Sequence, residues 1–229
     1  MAAAEADEII PSNPVRKTRL PRRGSAKERA DIAPEKIREL LTALPEPSRS
    51  LAQLLVFTGL RIGELLALRW RDVDLERCGL RVTQSVYEGH FDEPKSKRSK
   101  RSVPLGAKSI EILTARKPAG VNPDALVFGT DKGTPFDRRN LANRQLKPTC
   151  KKIGLTGVGW HWLRHANATL LDAVGTPVAV QQKMMRHADI RTTFNIYGDV
   201  VTDEMTTASS KVAQLAFRMN GAQTERKES

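Results

Sequence analysis

Apolar residues recur at helical spacing along most of this chain. In the first such segment they follow Pro34, a residue favoured in the opening turn of a helix, at these positions: Ile37, Leu40, Leu41 and Leu44. The same spacing predicts further helices over 47–57, 61–68, 107–116, 138–152, 160–173, 178–186 and 202–218, with a short one before Tyr197. Gly59 permits the left-handed turn that ends the second of these helices.

Three short runs have the composition of strands rather than helices. They cover 79–87, 91–94 and 101–105, and they are separated by Glu88-Gly89 and by a turn rich in Lys, Arg and Ser. Because short turns join antiparallel neighbours, we expect a small three-stranded antiparallel sheet. The predicted fold class is mainly α with this one sheet.

The ends of the chain lack this periodicity. Residues 1–30 contain prolines and a cluster of Arg and Lys, which is typical of a basic linker. We therefore expect one folded domain over 31–220, a linker or tail over 1–30, and a disordered tail over 221–229.

Composition places the chain among globular proteins. Of its 229 residues 39% are hydrophobic and 28% are charged, and the longest apolar stretch, 51–60, is far shorter than the roughly 20 residues of a membrane span. Acidic residues at positions 5, 7 and 8 do not suit a secretion signal, so we expect a cytoplasmic protein without a membrane partner. Cys78 and Cys150 are too few to suggest a disulfide framework or a zinc site.

The net charge restricts the class of binding partner. The net charge of +12 and the pI near 10.0 favour a polyanion such as DNA, because each neutralised phosphate adds affinity. A ribosomal protein, a repressor and a nuclease fit this charge equally well, so the chemistry depends on the motifs.

Two segments combine arginine with groups that suit an anion site. Arg61 begins a helix within an apolar stretch, so it either pairs with Glu64 or faces an anion. His161 and Arg164 lie three positions apart, hence on one helix face, where one phosphate could meet both. His161 and His165 have the spacing of metal ligands, but no glutamate lies between them and an arginine lies beside them.

Two further segments carry a lysine cluster and a tyrosine. Residues 95–101 hold five cations on a predicted hairpin, where a lysine could reach a DNA backbone and deliver a proton. Tyr197, one of two tyrosines, follows His187 by ten positions. Taken alone, each of these features is also compatible with a solvated surface.

Together the segments Thr58–Leu65, Trp160–His165, Met185–His187 and Thr192–Tyr197 resemble the tyrosine recombinases of the phage integrase family, over about residues 32–200. The family pattern is Arg, Lys, His-x-x-Arg, His or Trp, and Tyr, in that order. The matching residues are Arg61, Lys95, His161, Arg164, His187 and Tyr197. Met185-Arg186-His187 departs from the frequent Leu-Gly-His but keeps the histidine.

The resemblance implies a site-specific recombinase that cleaves and rejoins DNA through a covalent 3′-phosphotyrosine, without metal, cofactor or ATP. Tyr197 would be the nucleophile, Arg61 and Arg164 would hold the scissile phosphate with His161 and His187, and Lys95, or alternatively Lys97, would be the general acid. Glu64 would orient the site, and the remaining hairpin cations would bind DNA: Lys97, Arg98, Lys100 and Arg101.

The resemblance also bears on partners and alternatives. Double-stranded DNA is the implied partner, with a homotetramer forming only on DNA, in the integration or excision of a mobile element. Residues 1–30 would be the remnant of the core-binding domain that relatives carry upstream. Two alternatives are a non-catalytic DNA-binding remnant, which lacks that domain, and a type IB topoisomerase, which shares the chemistry.

Overall fold

The computed structural model describes residues 33–92, 101–185 and 203–217, together with positions 5, 7–9 and 11–13. The chain divides into two units, Met1–Asp31 and Ile32–Ser229. In the first unit, the backbone N–H of Glu8 donates to the carbonyl of Glu5 at 3.3 Å. The second unit contains all of the elements named below.

Helices dominate the second unit. In chain order they are α1 Pro34–Ala43, α2 Ser48–Thr58, α3 Ile62–Leu66, α4 Ala107–Arg116, α5 Arg138–Leu141, a π-helical segment Ala142–Leu146, α6 Lys147–Lys152, α7 Trp160–Ala173, α8 Val178–Met185 and α9 Asp203–Phe217. The predicted bounds of α4 and α7 are confirmed. The single helix predicted over 138–152 is continuous but includes the π-helical segment. Within the described ranges, no helix has the length and apolar character needed to cross a membrane.

The strands form two small sheets rather than one. Strands β1 Val73–Asp74, β2 Gly79–Val82 and β5 Arg101–Pro104 make an antiparallel sheet in the order β1-β2-β5. Strands β3 Ser85–Tyr87 and β4 His90–Asp92 pair separately as a hairpin. The prediction of a small antiparallel sheet is confirmed, but its strand composition was wrong.

The error arose between Val82 and Ser85, where the chain leaves the first sheet. Val82 and Val86 are both buried, so the alternation of apolar and polar residues continues across the break. At the break, the Thr83 hydroxyl donates to Asp72 Oδ2 at 3.0 Å instead of continuing the strand. Periodicity alone therefore merged two strands of different sheets, and two-residue β1 was too short to detect.

The core is built around α2, which is apolar on almost every side. Its residues Leu51, Leu55 and Phe57 are fully buried, as expected for a helix surrounded by other elements. Helix α7 packs against it with Leu163 and Leu170. Gly59 follows α2 with a φ of 63°, the left-handed conformation predicted for this helix end.

Helix α9 packs onto this same core. Val212 and Ser209 are fully buried, and the Ser209 hydroxyl donates to the Phe57 carbonyl and accepts from the Gly106 backbone N–H, each at 3.2 Å. A Cβ at Gly106 would lie 2.9 Å from the backbone nitrogen of Ser210, so glycine allows this close approach. The C-terminal helix is thus part of the domain that it follows.

Candidate active site

Arg61 lies immediately before α3, where its backbone and side chain both meet Glu64. The backbone N–H donates to Glu64 Oε2 at 2.9 Å, and the guanidinium Nη1 lies 3.0 Å from Glu64 Oε1. A glutamate at the third helical position commonly accepts from the N-cap N–H in this way. The Arg61 side chain is 52% exposed and that of Glu64 only 11%. The less exposed carboxylate of Glu64 therefore contacts the guanidinium from the protein interior, and the Arg61 side chain remains half exposed to solvent.

Helix α7 holds Arg164 in the interior. The residue is only 4% exposed, and its Nη1 donates to the carbonyl of Gly59. Three residues, about one turn, further along α7, Asn167 Nδ2 donates to the Val56 carbonyl at 2.6 Å. The last carbonyls of a helix have no partners within it, so these two side chains satisfy acceptors at the end of α2. They also fix α7 against the segment that leads into Arg61.

His161 lies one turn before Arg164 on α7 and is exposed. Its ring meets that of His165 edge to face, with the centroids 4.5 Å apart. Across the described part of the chain, no three His, Cys, Asp or Glu side chains are grouped closely enough to hold a metal ion.

An open groove of about 900 Å³ brings several of these groups together. It is lined by residues of α3, β2, the β3–β4 hairpin, α5 and the start of α7, among them Arg61, Glu64, Tyr87, Arg138, Arg139 and His161. At its floor α3 and β3 are in close contact, since a Cβ on Gly63 would lie 2.6 Å from the Val86 carbonyl oxygen. The groove thus carries three arginines and a histidine.

The side of the groove formed by the hairpin and α5 is held together by surface contacts. Arg139 Nη2 lies 2.5 Å from Glu88 Oε1, and the Arg138 guanidinium stacks over the Tyr87 ring at 4.3 Å from its centroid. Trp160 Nε1 donates to the Arg138 carbonyl at 2.9 Å and so links α5 to the start of α7.

The sequence did not single out Arg138 and Arg139. Both open a helix predicted from periodicity, and adjacent arginines are common on the exposed helices of a basic protein. Only their position in the same groove as Arg61 and His161 distinguishes them. No signal in the sequence would have separated them from the other exposed cations.

The other predicted site residues are only partly described. Arg61 and His161 line the groove, whereas Arg164 is buried and donates to the carbonyl of Gly59, two residues before Arg61. The backbone of Arg101 begins β5. The remaining predicted residues lie outside the described ranges: Lys95, Lys97, Arg98, Lys100, His187 and Tyr197.

Two residues that lie away from the groove, Arg116 and Cys150, have shifted pKa values. Burial lowers the pKa of the Arg116 guanidinium, an effect that nearby Glu46 opposes. Burial also raises the pKa of the Cys150 thiol. Arg116 is a structural residue, since its Nε donates to the Val127 carbonyl at 2.9 Å and its guanidinium covers the Phe128 ring.

Solved structures with the same fold include DNA-bound integrases. The Tn1549 transposon integrase in complex with a circular intermediate DNA matches with a TM-score of 0.66 and 20% identity, over 82% of this chain and 67% of the other. A lambda integrase dimer bound to a core site matches with a TM-score of 0.59 and 20% identity, over 86% of this chain and 71% of the other.

Curated relatives give the same family. The ICEBs1 integrase of Bacillus subtilis is 28% identical over 91% of this chain and 61% of its own length. A XerC-like tyrosine recombinase of Caldanaerobacter subterraneus is 30% identical over 87% of this chain and 56% of its own length. The chain therefore spans somewhat more than half the length of these relatives. The profile of the phage integrase family matches residues 31–204, most of the chain. This protein belongs to the phage integrase family of tyrosine recombinases.

Proposed function

We propose that the chain is the catalytic domain of a site-specific DNA recombinase, which cleaves and rejoins DNA strands through a covalent 3′-phosphotyrosine. One observation carries the proposal: Arg61 and His161 line one groove, and Arg164 is anchored to the carbonyl two residues before Arg61. Residues about 100 positions apart in the chain, of the types that the family pattern requires, therefore converge at one place.

The arginines suit the chemistry of a phosphodiester. Attack on phosphorus builds negative charge on the non-bridging oxygens, and a forked guanidinium that is always charged stabilises this charge. Glu64 presents the Arg61 guanidinium toward the groove, and Arg164 stabilises the backbone from which Arg61 extends. We propose that both arginines contact the scissile phosphate, with His161 as a further hydrogen-bonding partner.

The remaining roles follow the family pattern. The Tyr197 oxygen would attack phosphorus, the bond from phosphorus to the 5′-oxygen would break, and the tyrosine proton would pass to a histidine base, with His187 as a second partner of the phosphate. Lys95, or alternatively Lys97, would protonate the leaving 5′-oxygen. The phosphotyrosine ester conserves the bond energy, so an incoming 5′-hydroxyl can reseal the strand without ATP.

Double-stranded DNA is the proposed partner. The net charge of +12 favours a polyanion, and the hairpin cations Lys97, Arg98, Lys100 and Arg101 would contact its backbone. We propose that the protein is monomeric or weakly associated in solution and forms a homotetramer only on DNA. Gel filtration without DNA tests this point, and a stable tetramer would contradict it.

The chemistry is tested with nicked suicide DNA substrates carrying candidate attachment sites from the flanks of the gene, without added metal. Denaturing electrophoresis should show a covalent adduct with wild type and none with Tyr197→Phe. The matched control is Tyr87→Phe, because Tyr87 is the other tyrosine of the chain and lines the groove. It should still form the adduct.

The result also separates the two functional alternatives. Adduct formation that survives in Tyr87→Phe and is lost in Tyr197→Phe supports the recombinase. Salt-sensitive DNA binding with no adduct in any variant would favour the alternative, a DNA-binding protein that does not cleave.

A further inference from the structure

Two sets of cations line the groove, and only one set belongs to the proposed reaction. Arg61 and His161 are carried by α3 and α7, whereas Arg138 and Arg139 begin α5 and contact the β3–β4 hairpin. The role of this second pair is not explained by the chemistry proposed above. Their position in the same groove indicates that a DNA duplex bound there would meet both sets.

Arg139 already has an anionic partner, supplied by the tip of the hairpin. Glu88 and Gly89 form the turn between β3 and β4, with φ values of 50° and 83°. Turns with two positive φ values favour Asn, Asp or Gly, so glutamate at the first position is not the residue that the turn geometry selects. Its carboxylate lies 2.5 Å from Arg139. The contact with Arg139 accounts for a glutamate at this position.

The contact between Glu88 and Arg139 is of a kind that can be exchanged. Both side chains are largely exposed, 46% for Glu88 and 67% for Arg139, and ion pairs in water are weak because solvent screens them. A phosphate can replace the carboxylate as the partner of this guanidinium, because both anions can accept two parallel hydrogen bonds from it. Arg138 stacks on the face of Tyr87, and stacking leaves the edge of a guanidinium available to an anion.

We propose that Arg138 and Arg139 are a DNA phosphate-binding pair, and that Glu88 competes with the phosphate for Arg139. When DNA enters the groove, Arg139 exchanges Glu88 for a backbone phosphate, and Glu88 is left as an anion beside the DNA backbone. Salt screens the repulsion between this carboxylate and the phosphates, so the repulsion weakens binding most at low salt. The hairpin therefore lowers the affinity and the salt dependence of binding. The inference rests on the proposed function, since it requires DNA as the ligand.

The test is the dissociation constant for a fluorescently labelled duplex, measured between about 50 and 200 mM salt. Glu88→Gln should tighten binding roughly threefold to tenfold at low salt and steepen the dependence of log K on log salt by up to about 0.9, the value of one phosphate contact. Arg139→Gln should remove most of this gain when it is combined with Glu88→Gln.

Glu111→Gln is the matched control. Glu111 is also an exposed carboxylate in an ion pair, 2.7 Å from Lys108 on α4, and it does not line the groove. The Glu111→Gln substitution removes the same charge from the protein, so its effect on DNA binding measures the contribution of net charge alone. In the wild-type background, Glu88→Gln should tighten DNA binding clearly more than Glu111→Gln does. In the Arg139→Gln background, the two substitutions should tighten binding equally.

Two results would overturn the inference while leaving the proposed function intact. One is equal behaviour of Glu88→Gln and Glu111→Gln. The other is a Glu88→Gln gain that persists in full beside Arg139→Gln. A wild-type protein that shows no salt-sensitive DNA binding would overturn both this inference and the proposed function.

Discussion

Two parts of the candidate site differ in how their polar side chains are held. On the α7 side, Arg164 and Asn167 are buried, and they donate to the carbonyls of Gly59 and Val56 at the end of α2. On the hairpin side, Arg139 is exposed and meets the exposed carboxylate of Glu88. A buried donor that loses its acceptor is left without water to replace it, whereas an exposed ion pair exchanges with solvent at little cost.

The two sides therefore suit different tasks. Transition-state stabilisation needs donors that are already fixed in place, because reorganisation during the reaction would reduce their effect. Binding of a DNA backbone instead requires cations that can adjust to the phosphates. The α7 side meets the first requirement and the hairpin side meets the second. The following substitutions compare the two sides directly.

The largest effect is expected for the same arginine-to-lysine change made on each side. Arg164→Lys keeps the positive charge but replaces the forked guanidinium with a compact ammonium group. This group cannot donate to the Gly59 carbonyl and bind a phosphate at the same time. Loss of one such donor typically reduces the rate about 10² to 10³ fold. Arg139→Lys keeps its exposed charge and should change the rate by less than about threefold.

Rates of covalent adduct formation on the suicide substrate provide the measurement for both variants. Urea denaturation of Arg164→Lys, read by circular dichroism, checks that the variant is folded. A folded Arg164→Lys that reacts within tenfold of wild type would contradict the need for a fixed fork on the α7 side.

A smaller effect is expected for asparagine-to-alanine changes, measured as the free energy of unfolding in urea. Asn167→Ala leaves the Val56 carbonyl without its buried donor and opens space beside α2. It should lower this free energy by about 2 kcal/mol. Asn143→Ala removes an exposed contact to Lys147, at 2.8 Å, and should cost less than about 0.5 kcal/mol. Equal losses of unfolding free energy at the two positions would contradict the claim that the buried side chains of α7 are held more firmly than exposed ones.

The smallest effect concerns the contact between α3 and the hairpin. Gly63→Ser would force its Cβ against the Val86 backbone and should lower the free energy of unfolding by about 1 to 2 kcal/mol. Gly159→Ser, at the N-cap of α7, has open space around its Cβ, and serine is favoured there, so a change within about 0.5 kcal/mol is expected. Thermal denaturation of both variants compares them, and a neutral Gly63→Ser would show that the two elements can separate.

Much of the fold could be predicted because the chain marks its helices clearly. Periodicity indicated both bounds of α7, and Gly59, which follows α2, indicated where that helix ends. The sheets were harder, because a two-residue strand has no period and because buried Val82 and Val86 continue one pattern across two sheets. Alternation reports which residues face inward, but it does not report which strand lies beside them.

The candidate site was predictable in part for a similar reason. Arg61, His161 and Arg164 were found from a pattern of residue types in order along the chain. That pattern treats the two arginines alike, although one is half exposed and the other is 4% exposed. Burial depends on what packs above each residue, and the local sequence does not contain that information.

The sequence by itself determined the helical periods, the glycine ends of the helices, the basic charge and the ordered set of residues that indicated the family. The tertiary structure alone decided that Arg164 reaches the end of α2, and that Arg139 meets the carboxylate of Glu88, 51 positions earlier in the chain. Local patterns arise from interactions within a few residues. Contacts between distant positions exist only after the whole core has packed.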